Sequence, residues 1–136
     1  MARHVSLDAE PGFGRTVSLP FEEALERTEA ALQDQGFGVL TRIDVRATLK
    51  EKLDVEHPPY VILGACNPPL AHQALTREPD VGLLLPCNVV VRELPDGRTR
   101  VEAANPQVMA RLFPEDGLEA VAREATERLH EALEAI

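Results

Sequence analysis

Sulfur, serine and aromatic rings are all scarce in this chain of 136 residues, which has two cysteines, two methionines, one tyrosine, four phenylalanines and no tryptophan. Two cysteines in a chain this large exclude a disulfide-stapled scaffold and read as reduced thiols. The two serines, Ser6 and Ser18, occupy no nucleophile elbow, so a serine triad is excluded. Gly12-Phe13-Gly14 and Gly36-Phe37-Gly38 lack the third glycine and the strand-to-helix setting of a phosphate-binding loop. The longest apolar-rich run, Val81 to Val91, is too short to span a bilayer, and the opening MARHVSLDAEPG carries no apolar signal core, so a cytoplasmic protein is expected. Positive charge is also in short supply: Lys+Arg is 14 against Asp+Glu 23, a net charge of −9. That balance repels phosphate backbones and anionic lipid, so neither nucleic acid nor membrane is an expected partner. Twelve of the cations are arginine and two are lysine, with few Asn and Gln, a bias towards a heat-adapted or GC-rich source.

What is present fits one domain over residues 1–136, large enough to remove roughly two-thirds of the unfolded chain's surface from water. There is no repeat period, low-complexity tract or linker. Gly12 to Leu19 reads as a strand, and Pro20 opens a helix in which Phe21, Ala24, Leu25, Thr28, Ala31 and Leu32 recur at helical spacing until Gly36 stops it. Phe37 to Ile43 alternates like a half-buried strand, and Asp44 is placed to cap a helix running to Leu53. After the Glu56-His57-Pro58-Pro59 loop come a strand at Tyr60 to Cys66, a helix at Pro68 to Arg77, a long strand at Val81 to Glu93 and another at Arg98 to Ala103. Pro95-Asp96-Gly97 turns the last two into a hairpin. A helical turn follows Asn105-Pro106, and a helix from Glu115 to Ile136 carries the stripe Leu118, Val121, Ala122, Ala125, Leu129, Ala132, Leu133 and Ile136. The expected architecture is α+β: one mostly antiparallel sheet of about five strands with helices mainly on one face.

The three asparagines sort the unusual residues. Asn67 and Asn105 each precede a proline that begins a helical stretch, the geometry of a cap with proline at the first helical position. Asn88 instead lies in a β-branched run, two residues after Pro86, which cannot donate to a ladder and points to a bulge or an edge. Counting along that strand places Val81, Leu83, Leu85, Cys87, Val89 and Val91 on one face, making Cys87 a core residue. Cys66 ends a strand just before a helix N-terminus, where a thiol pKa falls, so it is the better candidate for chemistry. Leu70, Ala71, Ala74 and Leu75 form the buried stripe of the next helix and leave His72 towards solvent. Without Cys-x-x-Cys or paired histidines the metal signal is weak, and no metal ligand is assigned. The long helices carry most of the acid, while Arg42, Arg92, Arg98 and Arg100 are interleaved with Leu40, Leu84 and Val90 on the opposite sheet face. A bare face mixing cations with apolar groups suits a subunit interface or the floor of a pocket for a small acidic molecule.

Two blocks, Tyr60 to Ala71 (YVILGACNPPLA) and Gly82 to Val91 (GLLLPCNVVV), resemble the signature segments of the prokaryotic domain-of-unknown-function family 302, with Gly36-Phe37 and Asp44 also in place. The resemblance runs from about Phe13 to Met109. It departs at Leu53-Asp54-Val55-Glu56, where a glycine after the leucine would be more usual. It implies a TATA-binding-protein-like fold with a curved antiparallel sheet, often as a homodimer, and no settled activity or cofactor; the acidic balance argues against DNA binding.

Three functions follow from these residues. The first is a small-ligand-binding or interaction domain, homodimeric through or around the open sheet face, with Cys66, Asn67, Pro86, Cys87, Asn88 and Arg92 at the site. The second is a thiol-dependent enzyme or redox protein using Cys66, aided by Asn67, His72 or Asn88. The third is soft-metal binding by Cys66 and Cys87.

Overall fold

The computed structural model describes residues 10–136, so Ser6 and most of the N-terminal segment read above lie outside the described residues. Strands β1 (Gly12–Val17), β2 (Gly38–Asp44), β3 (Tyr60–Cys66), β4 (Cys87–Glu93) and β5 (Thr99–Ala104) form one antiparallel sheet in the order β1-β5-β4-β3-β2. Helices α1 (Phe21–Asp34), α2 (Val45–Leu53), α3 (Pro68–Arg77), α4 (Gln107–Leu112) and α5 (Glu119–Glu134) are joined by a 3-10 helix at Pro79–Leu84. None of the helices is long and apolar enough to cross a membrane among the described residues.

Alternation along the central strands decides which face is covered. Val61, Leu63 and Ala65 of β3 lie beside Val89 and Val91 of β4 and Val101 and Ala103 of β5, all buried. Ala24, Leu25, Ala31 and Leu32 of α1 and Leu129, Ala132 and Leu133 of α5 close over them in one core cluster. Each large aliphatic side chain removed from water there contributes about 1.5–3 kcal/mol. Thr28, at 1 % exposure, is tolerated in this core because its hydroxyl donates to the Ala24 carbonyl at 2.7 Å. A second cluster joins Leu70 and Ala74 of α3, Val81, Met109 and Ala110 of α4, and Val121, Ala122 and Ala125 of α5. Helix α5 therefore spans both clusters, with its N-terminal half in the second and its C-terminal half in the first.

The expected long strand from Val81 is corrected. Val81 to Leu84 belong to the 3-10 helix, Val81 is buried while Leu83 is 86 % exposed, and the strand begins only at Cys87. Glu78 accepts from the Asp80 N–H at 2.7 Å and Pro79 starts the turn, local chemistry that outweighs the apolar run. Pro86 marks the start of the ladder rather than an edge, because β4 lies between β3 and β5. The bulge sits elsewhere, between Val39 and Thr41 of β2. It resets the parity of that strand, so Arg42 turns to Glu29 of α1 (2.7 Å) instead of the open face. Leu84 packs against the second cluster, Arg98 closes the hairpin on Asp96 (2.9 Å), and Leu75 is 41 % exposed, outside the stripe assigned to it. Helix α5 starts at Glu119, after a turn at Gly117 (φ +65), rather than at Glu115.

Candidate functional site

The junction between the two clusters is built on Asn67. Its side-chain oxygen accepts from the Leu70 N–H (3.3 Å), capping α3, whose first two residues are prolines. Its Nδ2 donates to the Gln35 carbonyl (3.4 Å), which also accepts from Arg128 Nη1 (3.1 Å). One amide thus ties the C-terminal end of α1 to the N-terminus of α3, beside an arginine of α5. Gly36 (φ +84) makes that join possible, since a Cβ there would stand 3.0 Å from Asn67 Nδ2 in a left-handed conformation. The expected cap at Asn105 is corrected: Pro106 occupies the N-cap of α4, and Asn105 instead makes a local turn, its Oδ1 accepting from the Gln107 N–H (3.0 Å) and its Nδ2 donating to the Glu10 carbonyl (3.0 Å).

Around Asn67 the clusters part to leave a pocket of about 240 Å³. Phe37 and Ala65 line it from the sheet side, Leu70 and Ala74 from α3, Val121 and Ala125 from α5, and Val108 and Met109 from α4. Cys66 at the end of β3 and Pro86 and Cys87 at the start of β4 complete the wall. No charged side chain lines it among the described residues, and both lining amides, Asn67 and Asn105, are already bonded to backbone. Gly64 leaves room for the Pro86 ring: a Cβ there would strike Thr41 Oγ1 and come within 2.8 Å of Pro86 Cγ. The Leu85–Pro86 peptide bond is cis.

Both cysteines are free and half-buried. Cys87 shares the covered face with Val89 and Val91, as its parity predicts, and its partner across the ladder is Ala65, the neighbour of Cys66. It lines the pocket rather than filling the core. Burial, and then the nearby Cys66, push the Cys87 thiol up to about 11.

Four of the six residues assigned to a site from sequence therefore meet here: Cys66, Asn67, Pro86 and Cys87. Asn88 is exposed on the opposite face, across the ladder from Gly64, and Arg92 lies further along β4, paired with Glu102 (3.5 Å). Glu102 also faces Arg100 (3.7 Å). His72 is exposed on α3, away from the lining. Among the described residues no group of three or more His, Cys, Asp or Glu side chains could hold a metal. Sequence reasoning missed Met109, Leu84 and the α5 alanine Ala125 as lining, because only tertiary packing brings them to the cysteines. The Glu78-Pro79-Asp80 turn signal was the available hint that Leu84 and Leu85 leave the strand.

The sequence profile of a family described as Domain of unknown function DUF302 matches residues 13–136. The chain belongs to this family. A solved DUF302 structure, the uncharacterised conserved protein from Bacillus stearothermophilus, is 32% identical, superposes with a TM-score of 0.86, and is matched over 93% of this chain and 98% of that one. Among curated proteins none matches. The five-stranded antiparallel sheet with its helices is thus a DUF302 fold, and the pocket lies between the YVILGACNPPLA and GLLLPCNVVV segments that carry the DUF302 resemblance.

Proposed function

We propose that this DUF302 domain binds a small, uncharged, largely apolar molecule in the pocket beside Cys66 and Cys87. The observation that carries the reading is the lining itself: apolar side chains, two thiols, and two amides already committed to backbone. An acidic ligand would meet no counter-charge there. At about 240 Å³ the pocket exceeds the ~150 Å³ dry cavity that accepts benzene and falls short of the ~300 Å³ where drug-sized sites begin, so a ligand of single-ring size fits. The raised Cys87 thiol suits packing and weak S–H donation better than nucleophilic attack, so Cys87 serves as part of the lining. The test is thermal unfolding with a panel of single-ring neutral compounds and their carboxylate analogues. Neutral members at a hundred times their Kd should add about 2.7 kcal/mol. Stabilisation by the carboxylates alone, or by neither set, refutes the proposal.

The exposed sheet face supports a second reading, association of two copies. Ile43 is 48 % exposed beside Ile62, Ile62 neighbours Val90 across the ladder, and Arg92, Glu102 and Arg100 alternate in charge next to them. Pairing through this face buries those groups and keeps the acidic outer faces of α1 and α5 apart. Sedimentation velocity should show a dimer that Ile62→Glu dissociates; a monomeric parent chain at tens of micromolar ends this reading.

A further inference from the structure

The open face of the sheet holds two like charges in direct opposition. Arg92 of β4 and Arg100 of β5 are partners across the ladder, so their side chains leave the same face at neighbouring positions. The row continues to Thr16 of β1, the partner of Arg100, and to Tyr60 of β3, the partner of Arg92. Four adjacent strands thus present two guanidinium groups flanked by two hydroxyl groups, at the strand spacing of about 4.8 Å. All four residues are half-buried, with the Arg92 side chain 39 % and the Arg100 side chain 31 % exposed, so solvent reaches both cations.

Like charges directly opposite each other destabilise a sheet, and Glu102, two residues along β5 on the same face, offsets part of that cost. Its Oε1 lies 3.5 Å from Arg92 Nη2 and 3.7 Å from Arg100 Nε. One oxygen position is therefore within reach of both guanidinium groups. Both contacts are long beside the ~2.7–2.9 Å of a well-made charge-assisted bond, and two cations against one carboxylate leave a local charge of +1.

We infer that Arg92 and Arg100 form a site for a phosphate group, free or carried as a small monoester, on the open sheet face. A phosphate offers oxygens to two guanidinium forks at once, and its negative charge meets the cation that Glu102 leaves unmatched. Thr16 and Tyr60 add hydroxyl donors at the two ends of the row. Val90 and Ile62, partners on the same face and half-buried, give the body of an ester an apolar seat beside the arginines. The acidic outer faces of α1 and α5 lie across the sheet from this row. No charged side chain lines the pocket, so this site is separate from the neutral-ligand reading.

The test follows the Nε–H resonances of Arg92 and Arg100 by NMR as the full chain is titrated with inorganic phosphate and, separately, with phenyl phosphate, at about 0.15 M ionic strength. The two resonances should move together to one saturation point. Tighter binding of phenyl phosphate identifies an ester seated on Val90 and Ile62, and equal affinity identifies free phosphate. Arg92→Gln and Arg100→Gln should each weaken binding by roughly tenfold. Glu102→Gln should tighten it by roughly fivefold, because it removes the competing charge and keeps the shape. A damaged fold does not produce a gain in affinity, so Glu102→Gln keeps the test decisive even where an arginine variant folds poorly. A second copy on this face would compete for the same arginines, so in a dimeric chain the titration should also release monomer. No saturable shift with either compound, affinity unchanged in either arginine variant, or Glu102→Gln binding no tighter than the parent overturns the inference. Neutral-ligand stabilisation should be the same in all three variants, so the failure of either idea leaves the other standing.

Discussion

Replacing Ala125 by leucine asks whether the pocket is real space. Ala125 sits on α5, is 6 % exposed, and lines the pocket opposite the sheet. The change adds three carbons, and burying them contributes about 0.8 kcal/mol each, or roughly 2.4 kcal/mol. Against this stand about 0.5–1 kcal/mol of leucine rotamer entropy and a few tenths for leaving alanine in a helix. The net expectation is stabilisation of about 1 kcal/mol, a shift of about 3–6 °C in the midpoint for a domain of this size. Urea unfolding should show a higher midpoint at unchanged slope, and neutral-ligand stabilisation should vanish because the added side chain takes the ligand's place. In a filled interior the same substitution overpacks and costs about 1–3 kcal/mol. A lowered midpoint, or ligand binding that persists in Ala125→Leu, would refute both the pocket and the function built on it.

Asn67→Ala should destabilise by about 1–3 kcal/mol, since it uncaps α3 and removes one of two donors from the Gln35 carbonyl, whereas Asn67→Asp keeps the cap acceptor and should fall between it and the parent in urea midpoint. Asp54 holds φ 53 at the end of α2, so Asp54→Gly should be more stable than Asp54→Ala by about 1 kcal/mol; both lose the same exposed carboxylate, and equal midpoints would show that the left-handed conformation is not held in solution. The Cys87 thiol releases its proton near 9.0 when unfolded and at about 11 when folded, so the unfolded chain binds fewer protons between these values. Its contribution is complete below pH 9 and is lost as pH rises through about 11, on the order of 2–3 kcal/mol. Cys87→Ala should flatten stability across that window relative to the parent, and parallel curves would disprove the shift.

The parts legible in the sequence are those whose chemistry is local. Asp44 capping α2 through the Ala47 N–H (2.9 Å), Asn67 capping α3, and Gly36 ending α1 each need only neighbours a few residues away, and all stand where the residue types place them. Strand β3 and helix α3 match to the residue, because an apolar run meets an Asn-Pro-Pro stop without ambiguity. Val81 to Leu85 had no such resolution: four apolar side chains around Gly82 fit a buried strand as well as a 3-10 turn, and Pro79 tips the balance only once Glu78 is seen to cap it. The β2 bulge at Leu40 left no mark in composition, yet it reverses Arg42 and removes one of the cations credited to the open face. The glycine that the family resemblance suggested after Leu53 is explained in the same local terms, since Asp54 occupies the left-handed conformation that glycine adopts freely.

The pocket itself could not be read from local rules, and its energetics argue that it is kept for a purpose. Residual cavity space costs about 24 cal/mol per Å³, so 240 Å³ left dry and closed would cost on the order of 6 kcal/mol; partial opening to solvent makes this an upper bound. That is comparable with the whole net stability of a small domain, about 5–15 kcal/mol. Larger side chains at Ala65, Ala71, Ala74, Ala104 or Ala125 would close the gap by ordinary substitution, and five alanines at the wall leave it open instead. The same wall gathers both cysteines and Met109, and Gly64 holds room for Pro86 beside them. Small residues that preserve this volume favour an occupied state over an empty one.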